Sequence, residues 1–145
     1  MKTGRIIATG LLAGLVLNVG EAALHGVLYA DATAAAMKAL GHEIVFSGTD
    51  TAQLVLITFV QGLVGMLLYV LVQPGWKAGM GTAIRVGILL WVLSGVYSAI
   101  YLRAGFAGLM PAGVVWGPVA WELLLYPVAI AAGAIAQKER SHKGH

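Results

Sequence analysis

The chain has no cysteine, four prolines, and charged side chains at 10% of its 145 positions. Without cysteine there is no disulfide, thiolate metal site or thiol redox couple. This excludes the quinone-coupled disulfide-forming membrane proteins. Also missing are a Ser-His-Asp order, a Walker loop, a Gly-rich dinucleotide fingerprint and an H-E-x-x-H motif, so the sequence argues against an enzyme and requires no cofactor. There is no soluble domain, repeat array or low-complexity linker. Gly62–Tyr69 (GLVGMLLY) and Gly117–Tyr126 (GPVAWELLLY) align only across a gap, too little to argue duplication.

The remainder is 59% apolar, with 20 glycines, a composition that fits a bilayer better than water as solvent. At a rise of about 1.5 Å per residue, four stretches can cross about 30 Å of hydrocarbon: residues 6–30, 52–73, 82–102 and 114–136. The sequence therefore predicts an all-α integral membrane four-helix bundle, residues 1–145 forming one domain. The first stretch also has features of a secretory signal, with Lys2 and Arg5 before an apolar run and Ala-Asp-Ala at positions 30–32. We expect it to be retained as a span. Its apolar core, Ile6 to Leu17, is too short to cross alone, so the helix must carry Asn18, Glu21 and His25 into the membrane.

Lys2, Arg5, Lys77, Arg85, Lys138, Arg140 and Lys143 fall at one end of such a bundle, and Lys38 and Arg103 at the other. Basic residues concentrate on the cytoplasmic side, so both termini are expected there, in a bacterial inner membrane. Trp76 and Tyr69 mark the inner interface, and Tyr29, Tyr101 and Trp116 the outer one. A net charge of +3 is met by an anionic leaflet and calls for no nucleic acid.

In the first external loop, Asp31 can cap a short interfacial helix that Gly41 ends. Asp50 and Gln53 have capping-box spacing for span two, and Pro74 with Gly75 should stop that span. Pro127 should kink span four and free the carbonyl of Leu123.

On a helix turning 100° per residue, Asn18, Glu21 and His25 share a narrow face that lipid would leave unsatisfied. Counting from each span's centre puts Glu21 and Glu122 at one depth, with Gln61 near the middle of span two and Tyr97 in the outer half of span three. An outward-opening polar pocket is expected. Two carboxylates at that depth cost about 2.5 to 3.5 kcal/mol each on insertion scales. Either they form a structural network, with Glu21 paired to His25, or they bind a proton, cation or metal. As metal ligands, Glu21, His25 and Glu122 fall short of a di-iron set, which uses Glu-x-x-His on two helices. His25 could serve as a single axial ligand to haem or a pigment. His42 reads as a solvated surface residue, and His142 and His145 as part of a basic tail able to hold a transition metal loosely.

Gly10 with Gly14, Gly62 with Gly65, and Gly87 with Gly95 give three spans small faces suited to helix packing, within the chain or against a partner subunit.

The run from Ala13 to Gly41 resembles the N-terminal region of small four-helix bacterial membrane proteins of no assigned activity, which implies an inner-membrane bundle. The chain is also similar in architecture to the small multidrug resistance transporters, with four short spans and a membrane glutamate in the first, matched here by Glu21. It departs from them in His25, in Glu122, in the longer external loop and in its strong charge bias. The first functional expectation is a non-enzymatic accessory subunit of a larger membrane complex, or a homo-oligomer. The alternative is a proton-coupled transporter or cation site using Glu21, His25 and Glu122. The third is an intramembrane metal or single-axial-ligand site.

Overall fold

In hydrocarbon every backbone N–H and C=O must find its partner within the protein, which leaves long helices as the natural state of these apolar runs. The computed structural model describes residues 3–43, 45, 47–105 and 109–142, with side chains to Lys138. Lys2, His145, and the side chains of Arg140, His142 and Lys143, to which the sequence assigns roles, lie outside the described set.

Helix α1, Thr3–Ala23, passes into a π turn, Leu24–Leu28, and then into a short helix α2, Ala30–Ala39. Helix α3 is Gly48–Trp76. Helix α4, Met80–Trp91, joins α5, Tyr97–Gly105, through a second π turn, Val92–Val96, and α6 is Ala112–His142. There is no strand among the described residues. Among the described residues four stretches are long and apolar enough to cross a membrane: Thr3–Leu28, Gly48–Trp76, Met80–Gly105 and Ala112–Lys138. The chain is an all-α, four-helix bundle of the integral membrane kind.

Several local expectations are corrected. Asp31 does not cap α2. Tyr29 takes that position with no side-chain cap, its N–H still bonded to the Leu24 carbonyl at 2.8 Å, so the chain enters α2 directly from the π turn. Gly41, at φ +78, follows the last turn and donates its N–H to Lys38 O. The capping box of α3 lies one turn earlier than expected. Ser47 is the N-cap, its Oγ accepting from Asp50 N at 3.2 Å, while Asp50 Oδ2 accepts from Ser47 N at 2.9 Å.

Pro74 does not stop α3, which continues to Trp76. A proline this near the end removes one hydrogen bond without preventing the next, and Lys77 N donates to Gln73 O at 2.9 Å. The turn comes at Lys77, with φ 61, and is pinned by Gly79 N donating to the Tyr69 hydroxyl and Thr82 Oγ1 donating to Lys77 O. Helix α6 contains Pro118 and Pro127 and is assigned as one element, and the two π turns fall in spans one and three.

Small residues fix the register, because lipid supplies no hydrophobic drive between helices and close backbone approach must supply attraction instead. Gly10 lies on Leu63 and Gly14 on Phe59, with Gly62 set against the backbone of both glycines, so α1 and α3 are antiparallel. Gly20 meets Leu125, Gly133 meets the Thr9 carbonyl and Tyr29 covers Gly117, which makes α1 and α6 antiparallel as well. Gly87 lies on Pro127, Gly95 on the Glu122 carboxyl, and Gly65 on Ile130 and Leu90. Spans one and three occupy opposite corners, each packed on α6. Leu17, Met66, Val86 and Ile130 are fully buried at the centre.

Candidate functional site

The register of α1 against α6 puts Glu21 level with Glu122, since Gly20 meets Leu125 on one side of that level and Tyr29 meets Gly117 on the other. Glu21 Oε2 is 3.4 Å from His25 Nε2, one turn along the same helix. The π turn begins at Leu24 and carries His25. Its side chain is 55% exposed, against 20% for Glu21. The polar face of Asn18, Glu21 and His25 is therefore only partly buried and reaches the surface at His25.

Glu122 extends from α6 towards the second π turn. Its Oε2 is buried without a hydrogen-bond partner and lies over Gly95, where any β-carbon would occupy the same space. The absence of a side chain at position 95 is what makes room for the carboxyl. Trp91, one turn before, borders the same space and donates from Nε1 to Val119 O at 2.7 Å, tying span three to α6 beside Glu122. One turn after Glu122, the buried Tyr126 has Ser94 of the π turn and Gln61 of α3 as polar neighbours. Glu122 lies within electrostatic range of Glu21 and His25, and Tyr126 within range of both carboxylates. All four spans thus contribute polar groups to one region.

Of the residues expected at such a site, Glu21, His25, Glu122 and Gln61 gather there. Asn18 does not. Its Nδ2 donates to Gly14 O at 3.1 Å and Val55 O at 3.4 Å, so it clamps α1 to α3. Tyr97 is 64% exposed and stacks on Tyr101, with ring centroids 6.3 Å apart, on the bundle's surface. Sequence reasoning missed Tyr126, Ser94 and Trp91. The spacing of Glu122 and Tyr126, four residues apart on one helix, was the available signal.

Among the described residues no three His, Asp or Glu side chains form a group able to hold a metal. Glu21 and His25 pair with each other while Glu122 turns to Gly95, so these three do not assemble as a ligand set. Two surface clefts lie away from the cluster. One, of about 410 Å³, is lined by residues of α2, the following loop and the start of α3. The other, about 440 Å³ and almost wholly apolar, runs between α4 and α6. Gly10, Gly14, Gly62, Gly65, Gly87 and Gly95 are all buried in contacts within the chain, which leaves a partner subunit only the outer faces of the helices.

No family model, curated protein or solved structure matches the chain.

Proposed function

We propose that the chain is a small proton-coupled carrier or cation-binding protein of the bacterial inner membrane, with Glu122 as the group that exchanges a proton for its ligand. The observation carrying this reading is the buried, unpartnered Glu122 Oε2 over Gly95. A carboxyl at this depth is expensive to place and a purely structural one would be bonded. Ionisable groups inside a bundle mark ion or proton paths. The two π turns add support, since such turns recur at functional sites, and here one carries His25 and the other Ser94 and Gly95. Tyr126, Ser94 and Gln61 supply neutral donors and acceptors that could hold either a protonated carboxyl or a bound cation.

The distribution of basic residues supports both termini being cytoplasmic and α2 lying at the outer interface, with the cluster in the half of the bundle nearer α2. The resemblance in architecture to small multidrug resistance transporters, with Glu21 at the matching position, points the same way. An accessory subunit or homo-oligomer would have to dock through lipid-facing surfaces.

The test uses proteoliposomes carrying an imposed pH gradient, to which Na⁺, K⁺ or tetramethylammonium is added. The expected result is that at least one of these cations dissipates the gradient with the wild type and none does so with an equally folded Glu122→Gln variant. Identical traces for the two proteins with every cation would overturn the proposal.

A further inference from the structure

The Glu122 carboxyl has neighbours of opposite character along the bundle axis. Towards the termini, each polar member of the cluster is followed about one turn later by a fully buried apolar side chain: Leu17 below Glu21, Met66 below Gln61 and Ile130 below Tyr126. With Val86 and Leu90 of α4, these side chains belong to one buried apolar cluster. Towards α2 the arrangement is different. Glu21 is level with Glu122 and only partly buried, and its Oε2 lies 3.4 Å from the Nε2 of an imidazole that is more than half exposed.

We propose that His25 and Glu21 form the proton relay serving Glu122 from the α2 end of the bundle. This rests on the reading of Glu122 as a proton-exchanging group. The imidazole takes a proton from the aqueous side at Nδ1 and releases the one on Nε2 to Glu21 Oε2. Glu21 then passes a proton across the α1–α6 contact to the Glu122 carboxylate. One proton leaves the solvent and one arrives at Glu122, no electrons move, and exchange with water, which takes the Nδ1 proton and returns one to Nε2, restores the starting tautomer. The charged and titratable groups facing this route are Glu21 and His25 from α1 and its π turn, and Glu122 and Tyr126 from α6. Span three offers the neutral Ser94 and α3 the neutral Gln61. His25, carried on the π turn, lies at the surface of the bundle while its partner Glu21 stays mostly inside.

The experiment follows the infrared carboxyl band of Glu122, identified by its loss in Glu122→Gln, after a pH jump on the reconstituted full chain. In His25→Ala the band is expected to develop about 100-fold more slowly than in the wild type. Added free imidazole, which can reach so exposed a position, is expected to restore the rate. Glu21→Gln should be equally slow and not rescued, because imidazole replaces the first carrier and not the second. A wild-type rate in His25→Ala, or slowing that imidazole leaves unchanged, overturns the relay while the proton-exchanging role of Glu122 stands. The absence of any pH-responsive Glu122 band in the wild type overturns both.

Discussion

Gly62 lies so close to Gly14 that a β-carbon added to it would overlap the Gly14 backbone, with Gly10 one turn away in the same crossing. Neither side of this contact has a flexible side chain that could yield. Gly62→Leu is therefore expected to force α1 and α3 apart and to cost about 3 kcal/mol or more, at or above the upper end for overpacking where side chains can adjust. Unfolding by a denaturing detergent in a mild-detergent background would measure this. Gly81→Ala, which meets open space at the start of α4, should leave the midpoint unchanged or raise it slightly.

The start of α3 gives a smaller prediction. The Ser47 hydroxyl accepts from Asp50 N at 3.2 Å and donates to Asp50 Oδ2 at 2.7 Å. Ser47→Ala removes both bonds and should cost about 1 kcal/mol, typical for the loss of an N-cap. The same unfolding assay should show it as a modest shift, with amide exchange faster in the first turn of α3 than elsewhere.

The ends of this helix show what the sequence could specify. Two capping boxes were possible by spacing, Ser47 with Asp50 and Asp50 with Gln53, and spacing alone does not rank them. The outer box prevails because the turn it adds is a backbone already able to form helix, and a longer helix satisfies more carbonyls. Pro74 was overrated for the converse reason, since a terminal proline loses only its own N–H. The four apolar runs, the depth shared by Glu21 and Glu122, and the pair of Glu21 with His25 followed from length and helical periodicity alone. The two π turns did not, because one extra residue in a turn leaves no mark on composition. They carry His25 at the surface and Ser94 and Gly95 beside Glu122. Tyr97 and Asn18 were placed on polarity, yet which face of a helix meets its neighbours is decided by glycine contacts on three partner helices.

Topology can be tested directly because the chain has no cysteine. Single substitutions Ala39→Cys, exposed at the end of α2, and Lys138→Cys, exposed near the end of α6, each provide one thiol. With both termini cytoplasmic, a membrane-impermeant maleimide should label position 39 in intact spheroplasts and position 138 only after permeabilisation. The reverse pattern would invert the bundle and place the Glu122 cluster in its cytoplasmic half.

The sharpest prediction concerns Gly95, where stability and function should move in different ways. Alanine normally favours a helix over glycine by about 1 kcal/mol. Here its β-carbon would take the space held by Glu122 Oε2, so the carboxyl must leave its place beside Ser94 and Trp91. Gly95→Ala should therefore stay folded, because a movable side chain can give way, yet lose the proton exchange that depends on Glu122's position. Combining it with Glu122→Ala empties the contested space, and the double variant should recover any stability lost in Gly95→Ala while remaining inactive. Thermal unfolding of the four proteins measures the coupling, and the cation-driven pH assay measures the activity. If Gly95→Ala exchanges protons as the wild type does, the position of the carboxyl over Gly95 does not matter to function. Its lack of a partner there would then be a packing accident.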